Sequence, residues 1–108
     1  MVLVPWESDH PAIALELWGD AEIGRSQEAD VDLVPHEGWD NGVSRRHAQL
    51  SAKPSGLFLD DLGSTNGTYV NANRVEPGQP LQLGDGDTVC FGLVAFDVHI
   101  VHRPGDLL

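Results

Sequence analysis

The chain has 108 residues, with 6 Lys plus Arg against 17 Asp plus Glu, which gives a formal net charge of -11 at pH 7. This length supports one domain with one hydrophobic core. The acidic balance argues against general binding to nucleic acids or anionic membranes, because both ligands require basic patches on the protein. A start without signal-peptide features and the lack of a long apolar run predict a cytoplasmic location.

The first part of the chain predicts a lead-in followed by short strands. Residues 1–11 end in a polar, Pro-containing segment and are interpreted as the lead-in. Apolar and polar residues then alternate over 12–18, which is typical of a half-buried strand. Brief strands are predicted near 21–24 and 31–34, and a surface loop over 35–43.

The second part continues with strands and turns. Alternation over 47–53 predicts a strand with Ala48 and Leu50 facing inward. Further strands are predicted at 57–60, 68–71, 81–83, 87–91 and 94–101, with turns at 54–56, 63–67, 73–80 and 84–86. Short strands at this spacing, without a helical stripe, predict an antiparallel β-sandwich. Function in such a fold is expected on loops at one end of the scaffold.

Three loop segments combine hydrogen-bond donors with turn-forming residues at predicted strand ends. They are residues 24–26 (Gly-Arg-Ser), 44–47 (Ser-Arg-Arg-His) and 64–68 (Ser-Thr-Asn-Gly-Thr). Each is a weak signal alone, since an Arg at a strand end is usually solvated and Ser-Thr-Asn-Gly usually forms a turn. The order and spacing of the three segments are more specific than any one segment alone.

In that order the segments resemble the forkhead-associated (FHA) domain. That family carries a Gly-Arg after an early strand, then a Ser-x-x-His, then an Asn-Gly. This sequence has Gly24-Arg25, Ser44-x-x-His47 and Asn66-Gly67, and its Leu-Gly-Asp-Gly-Asp at 83–87 is also similar. The resemblance implies an all-β, FHA-like (SMAD/FHA) antiparallel β-sandwich of about eleven short strands, with peptide-binding loops at one end.

The resemblance also sets the expected domain organisation. It covers about residues 12–102, which are expected to form the FHA domain. Residues 1–11 remain as the N-terminal lead-in, and 103–108 are expected to begin a C-terminal linker. We expect a monomer or one part of a larger multidomain protein.

The resemblance implies a ligand that contains phosphothreonine, which carries a charge of about -1.5 to -2 and three acceptor oxygens. Several charge-assisted hydrogen-bond donors that point to one position can bind such a group. The planar guanidinium of Arg is the most suitable of these donors. By similarity to the family, Arg25, Ser44, Arg45 and Thr65 meet the phosphate, and Asn66 bonds the peptide main chain. The partner is then a phosphothreonine-containing protein or peptide, which implies a Ser/Thr kinase. The family also favours phosphothreonine over phosphoserine.

Other residues of the three segments have supporting roles in this interpretation. Gly24 and Gly67 are expected to serve backbone geometry, and His47 to brace the loops. Arg45 contacts either the phosphate or the peptide backbone, because the family varies there. Arg46 is expected to alternate away from Arg45 onto a solvated face.

An enzyme or a metal site is not expected, and neither is a cofactor. Ser44 and His47 are three apart, and their side chains diverge on an extended segment, which disfavours a catalytic relay. Cys90 has no basic neighbour and is interpreted as a structural thiol. The five His residues lack zinc-like spacing. Trp39, in the surface loop, either packs locally or contacts the peptide. The alternative function is phosphorylation-independent protein binding through a sheet face.

Overall fold

The computed structural model describes residues 1–7, 9–36 and 41–100, which form eleven β-strands and one short 3₁₀ helix, Val34–His36. No helix in these ranges is long and apolar enough to cross a membrane. The strands in chain order are β1 (Val2–Pro5), β2 (Ile13–Ala14), β3 (Asp20–Gly24), β4 (Val31–Asp32), β5 (Ala48–Lys53), β6 (Gly56–Asp61), β7 (Thr68–Val70), β8 (Asn73–Arg74), β9 (Leu81–Leu83), β10 (Thr88–Phe91) and β11 (Val94–His99).

The strands form two sheets that pack as a sandwich, so the predicted fold class is confirmed. One sheet has the order β2-β1-β11-β10-β7-β8 and the other β4-β3-β5-β6-β9. Every neighbouring pair is antiparallel except β3 and β4, which run parallel with Ile23 opposite Val31. This pair departs from the purely antiparallel expectation because the 25–30 segment loops back before β4 begins.

Alternating residues of the two sheets fill a single core between them. Leu3, Ile23, Leu59 and Phe96 are each fully buried there, with Phe91 beside them. Ala48 and Leu50 of β5 are also buried, as the period-two pattern predicts. Because β3, β5 and β6 share this core, the loops at their ends are held at fixed positions.

The interpretation of residues 1–11 as a lead-in was wrong for Val2–Pro5, which form β1. Leu3 of that strand is fully buried and lies opposite Val98 of β11. Such a short apolar stretch has no readable period, and its partner strand lies about ninety residues away in the sequence.

Two predicted elements differ from the structure, namely the strand over 12–18 and the turn over 73–80. Only Ile13–Ala14 of the strand expected over 12–18 is a strand. β8 arises within the turn-rich 73–80, where both strand residues are exposed and give no hydrophobic signal. Trp39 and the expected linker at 103–108 lie outside the described residues.

Candidate functional site

Ser44 joins the three predicted loop segments at one end of the sandwich. Its carbonyl oxygen accepts a hydrogen bond from the backbone N–H of Arg25 at 3.0 Å. Its hydroxyl oxygen accepts one from the backbone N–H of Thr65 at 3.1 Å. The ends of β3 and β6 thus meet the segment that precedes β5, as the order of the motifs suggests.

The predicted phosphate contacts differ in how firmly they are held. The Nε of Arg25 donates to the carbonyl oxygen of Val43 at 2.9 Å, so the half-buried guanidinium has a fixed direction. Ser44 is half-buried, whereas Arg45 and Thr65 are exposed. The site therefore presents one anchored cation, one anchored hydroxyl and two exposed side chains.

Asn66 is held against the segment that precedes Ser44. Its Nδ2 donates to the carbonyl oxygen of Gly42 at 2.9 Å, while the residue remains exposed. A carboxamide has two N–H donors and one acceptor oxygen, so this contact orients the group and uses one donor.

Gly24 allows the backbones of two site segments to touch. A Cβ atom at this position would lie 1.8 Å from the carbonyl oxygen of Arg45, a distance that no side chain tolerates. Gly67 has a φ of 88° and sits against the ring of Tyr69, where a Cβ would come within 3.0 Å. Both glycines serve close backbone approach.

His47 connects the segment at 44–47 with the loop at 64–68 from within the core. Its fully buried ring accepts a hydrogen bond at Nδ1 from the Ser44 amide at 3.0 Å. Its Nε2 lies 2.8 Å from the carbonyl oxygen of Gly67. Because Nδ1 accepts, the neutral ring carries its proton on Nε2 and donates it to Gly67. Burial lowers the pKa of His47, against the opposing effects of the Gly67 carbonyl and of Asp61.

The expectation of an extended segment at 44–47 was wrong, because residues 45–46 bend. The bend returns the His47 ring to the Ser44 amide, not to the Ser44 hydroxyl, which is bonded to Thr65. His47 therefore does not contact the hydroxyl in the way that a Ser–His relay requires.

Asp61 was missed by the sequence interpretation and organises the 62–68 loop. This buried carboxylate accepts hydrogen bonds from the hydroxyls of Ser64 at 2.6 Å and Thr68 at 2.7 Å, and from the backbone N–H groups of Gly63 and Ser64. Burial alone would raise its pKa, but the bonds from Ser64, Thr68 and Gly63 outweigh burial and hold the pKa below its usual value. The available sequence signal is an Asp two residues before Gly63 and three before Ser64, a spacing typical of an Asx-type turn.

An open cavity of about 710 Å³ lies beside the phosphate-contact candidates. Arg25, Arg45 and Arg46 line it, together with Glu22 and Glu28. Arg46 donates from Nε to Glu22 at 3.0 Å, and its side chain is 72% exposed, so it is solvated as expected and also ion-paired.

Two other candidate chemistries have little support within the described ranges. No three His, Cys, Asp or Glu side chains are arranged there to hold a metal ion. Cys90 is half-buried, and burial raises the pKa of its thiol, which opposes formation of the reactive thiolate.

Residues 21–92 match the family model of the FHA domain. The chain belongs to the FHA family. FhaA, an FHA domain-containing protein of Mycobacterium tuberculosis, is 43% identical over 74 residues, which are 68% of this chain and 12% of FhaA. The FHA domain of this chain thus corresponds to a small part of that relative. It also spans only 41% of FhaB from the same organism.

Two solved FHA domains extend the similarity to nearly the whole fold. One, from a structural and functional analysis of phosphothreonine-dependent FHA domain interactions, is 34% identical with a TM-score of 0.75, over 94% of this chain and 97% of that one. The other is the FhaA FHA domain in complex with the intracellular domain of Rv3910. It is 35% identical with a TM-score of 0.72, over 89% of this chain and 96% of that one.

Proposed function

We propose that this FHA domain binds partner proteins phosphorylated on threonine, with Arg25, Ser44, Arg45 and Thr65 at the phosphate. The observation that carries the proposal is the double contact of Ser44, whose carbonyl and hydroxyl oxygens hold the backbones of Arg25 and Thr65. This arrangement brings a cation and two hydroxyls from distant parts of the chain to one end of the sandwich.

The hydrogen bonds already made by Ser44 and Arg25 prepare both side chains for a phosphate. A hydroxyl has one proton and two lone pairs. Since the Ser44 oxygen accepts from Thr65, its own proton is available for a phosphate oxygen. The bond from Nε of Arg25 to the carbonyl oxygen of Val43 fixes the direction of the guanidinium. A guanidinium and a hydroxyl at the same end of the sandwich favour a dianionic ligand through charge-assisted hydrogen bonds.

Asn66 is suited to the peptide main chain beside the phosphothreonine. Its bond to Gly42 leaves a second N–H donor and the carboxamide oxygen. A peptide unit offers the complementary carbonyl and N–H. His47, Gly24 and Gly67 act in support, by holding the two binding segments against each other.

The family supports a binding module rather than an enzyme, and one solved relative was studied for phosphothreonine-dependent interactions. The ligand requires a Ser/Thr kinase to produce it, and we place the domain with such a kinase in the cytoplasm. We also propose that the domain continues to residue 102 and that a linker starts at 103, whereas at its beginning it includes β1.

The test is a matched peptide library in three forms that carry threonine, phosphothreonine or phosphoserine at a fixed central position. Binding is measured by fluorescence anisotropy. We expect the phosphothreonine peptides to bind and the unphosphorylated peptides not to bind. The phosphoserine peptides should bind more weakly than the phosphothreonine peptides by about 1–3 kcal/mol, the contribution of one buried methyl group. Equal binding of the unphosphorylated peptides would contradict the proposal and favour binding through a sheet face.

A further inference from the structure

The cavity beside the proposed phosphate site concentrates positive charge in a strongly acidic chain. The whole sequence has 6 Lys plus Arg and 17 Asp plus Glu. Three of those cations, Arg25, Arg45 and Arg46, line this one cavity, against the two carboxylates of Glu22 and Glu28. The local balance is therefore positive where the chain as a whole is negative, which favours an anionic occupant.

The cavity is larger than one phosphate group requires. Its volume of about 710 Å³ falls within the range of about 300–1,000 Å³ that is usual for small-molecule pockets. One wall is the turn that follows Arg25, in which the carbonyl oxygen of Ser26 accepts from Ala29 and the Ser26 hydroxyl accepts from Glu28. Because these hydrogen bonds fix the wall, the cavity keeps enough space for a side chain next to the phosphothreonine.

Arg46 also lines the cavity and retains hydrogen-bond donors for a ligand. A guanidinium has five N–H donors, and the ion pair with Glu22 engages Nε. The Arg46 side chain is largely exposed to solvent, so its other N–H groups can bind an anion while the ion pair with Glu22 is kept. The ion pair with Glu22 orients the Arg46 guanidinium.

Asn66 does not line the cavity. No residue of the 64–67 loop lines the cavity, which is built from the 25–29 turn and from Arg45 and Arg46 with their neighbours. A peptide held at its main chain by Asn66 and at its phosphate by Arg25 would therefore place a flanking side chain over this cavity.

We propose that the cavity binds a second anionic group of the phosphopeptide, with Arg46 as the residue that selects for it. The group is a carboxylate or a second phosphate on a residue close to the phosphothreonine. This inference rests on the proposed function, since the first phosphate positions the peptide. In this proposal Arg46 determines the preference for the second anionic group, and it is not needed to bind the first phosphate.

The test compares peptides that share one phosphothreonine and differ in a single flanking residue, which is Ala, Glu or a second phosphothreonine at each of the four positions on either side. Affinities are measured by calorimetry for the wild type, Arg46→Gln and Lys53→Gln. Lys53 lies at the other end of β5 and provides a control for the loss of one positive charge.

We expect an anionic residue on one side of the phosphothreonine to increase wild-type affinity by about fivefold or more. Arg46→Gln should abolish most of this gain while preserving affinity for the Ala-flanked peptide, and Lys53→Gln should preserve both. A gain with Glu identifies a carboxylate as sufficient, and a gain with phosphothreonine alone identifies a second phosphate.

Two results would overturn the inference alone: tight binding of the Ala-flanked phosphopeptide with no gain from any anionic flank, or a gain that Arg46→Gln and Lys53→Gln reduce equally. The second result would indicate a general effect of charge rather than a site. Failure of every phosphopeptide to bind would instead reject the proposed function and this inference together.

Discussion

The backbone amide of Ser44 donates a hydrogen bond to Nδ1 of the buried His47 ring at 3.0 Å. The other ring nitrogen lies 2.8 Å from the carbonyl oxygen of Gly67. One neutral imidazole thus fixes the segment that carries Ser44 to the loop that carries Thr65 and Asn66. The positions of both segments therefore depend on one buried side chain.

Replacing His47 with Ala should therefore reduce both stability and peptide binding. The change leaves a buried cavity and unpairs the Ser44 amide and the Gly67 carbonyl, at a cost of about 2–4 kcal/mol in the free energy of unfolding. Urea denaturation followed by tryptophan fluorescence measures it. His99→Ala removes an exposed imidazole and should change stability by less than about 0.5 kcal/mol. Equal stability of the two variants would contradict a bracing role for His47.

Gly24→Ala should disrupt the site through the backbone. The added Cβ would stand 1.8 Å from the carbonyl oxygen of Arg45, so β3 or the 44–46 segment must move. We expect a loss of about 2 kcal/mol or more in stability and a clear loss of phosphopeptide affinity. Gly19→Ala is the matched control, because a Cβ there meets nothing within 4 Å. If Gly24→Ala bound peptide as tightly as the control, the close backbone approach would be irrelevant to binding.

The free energy of unfolding should depend on pH through two buried imidazoles. Burial lowers the pKa of His47, and burial and His10 together lower the pKa of His36 despite Asp32. The unfolded chain protonates these rings near pH 6.5, whereas the folded chain resists protonation. Stability should thus be steady above about pH 7 and fall as the pH drops below about 6.5.

Urea denaturation at a series of pH values measures this dependence. His47→Ala should show a shallower decline between about pH 6.5 and 5, since one of the two rings is absent. Asp61, whose pKa is lowered, should add a further loss below about pH 4, where the unfolded chain binds a proton that the folded carboxylate still resists. A wild-type stability that does not change between pH 7.5 and 5 would be inconsistent with neutral, buried His47 and His36.

Asp61→Asn should loosen the loop that presents Thr65 and Asn66. The carboxylate accepts four hydrogen bonds from Gly63, Ser64 and Thr68. In the Asn variant an amide nitrogen replaces one carboxylate oxygen and faces these hydrogen-bond donors, from which it cannot accept. We expect a loss of about 2–4 kcal/mol in the free energy of unfolding. Asp60→Asn, at a neighbouring residue that accepts one exposed bond from Gly78, should cost under about 1 kcal/mol. Comparable losses in both variants would remove the case for Asp61 as the organiser of the loop.

Much of the fold and site could be predicted because the signals are local. Period-two alternation located β5 with its buried Ala48 and Leu50, and loop motifs at fixed spacing identified the segments that meet at Ser44. These features depend on residues close together in sequence, or on a family pattern with several separate parts.

The missed features depend on contacts between distant residues or on the local path of the chain. β1 is recognisable only once Leu3 lies opposite Val98. The acceptor role of Asp61 requires the chain to reverse over 62–64, and the bend at 45–46 brings His47 back to Ser44. Hydrophobic periodicity contains no information on these reversals.

The most direct test of phosphate recognition is calorimetric titration of one phosphothreonine peptide into the wild type and into Arg25→Ala, with the unphosphorylated peptide as the reference. In the proposed function, the anchored guanidinium of Arg25 is the central charged donor to the phosphate. Its removal should weaken phosphopeptide binding by about 2–5 kcal/mol and bring it close to the unphosphorylated level. Equal affinity of wild type and Arg25→Ala for the phosphothreonine peptide would contradict recognition of the phosphate at this site.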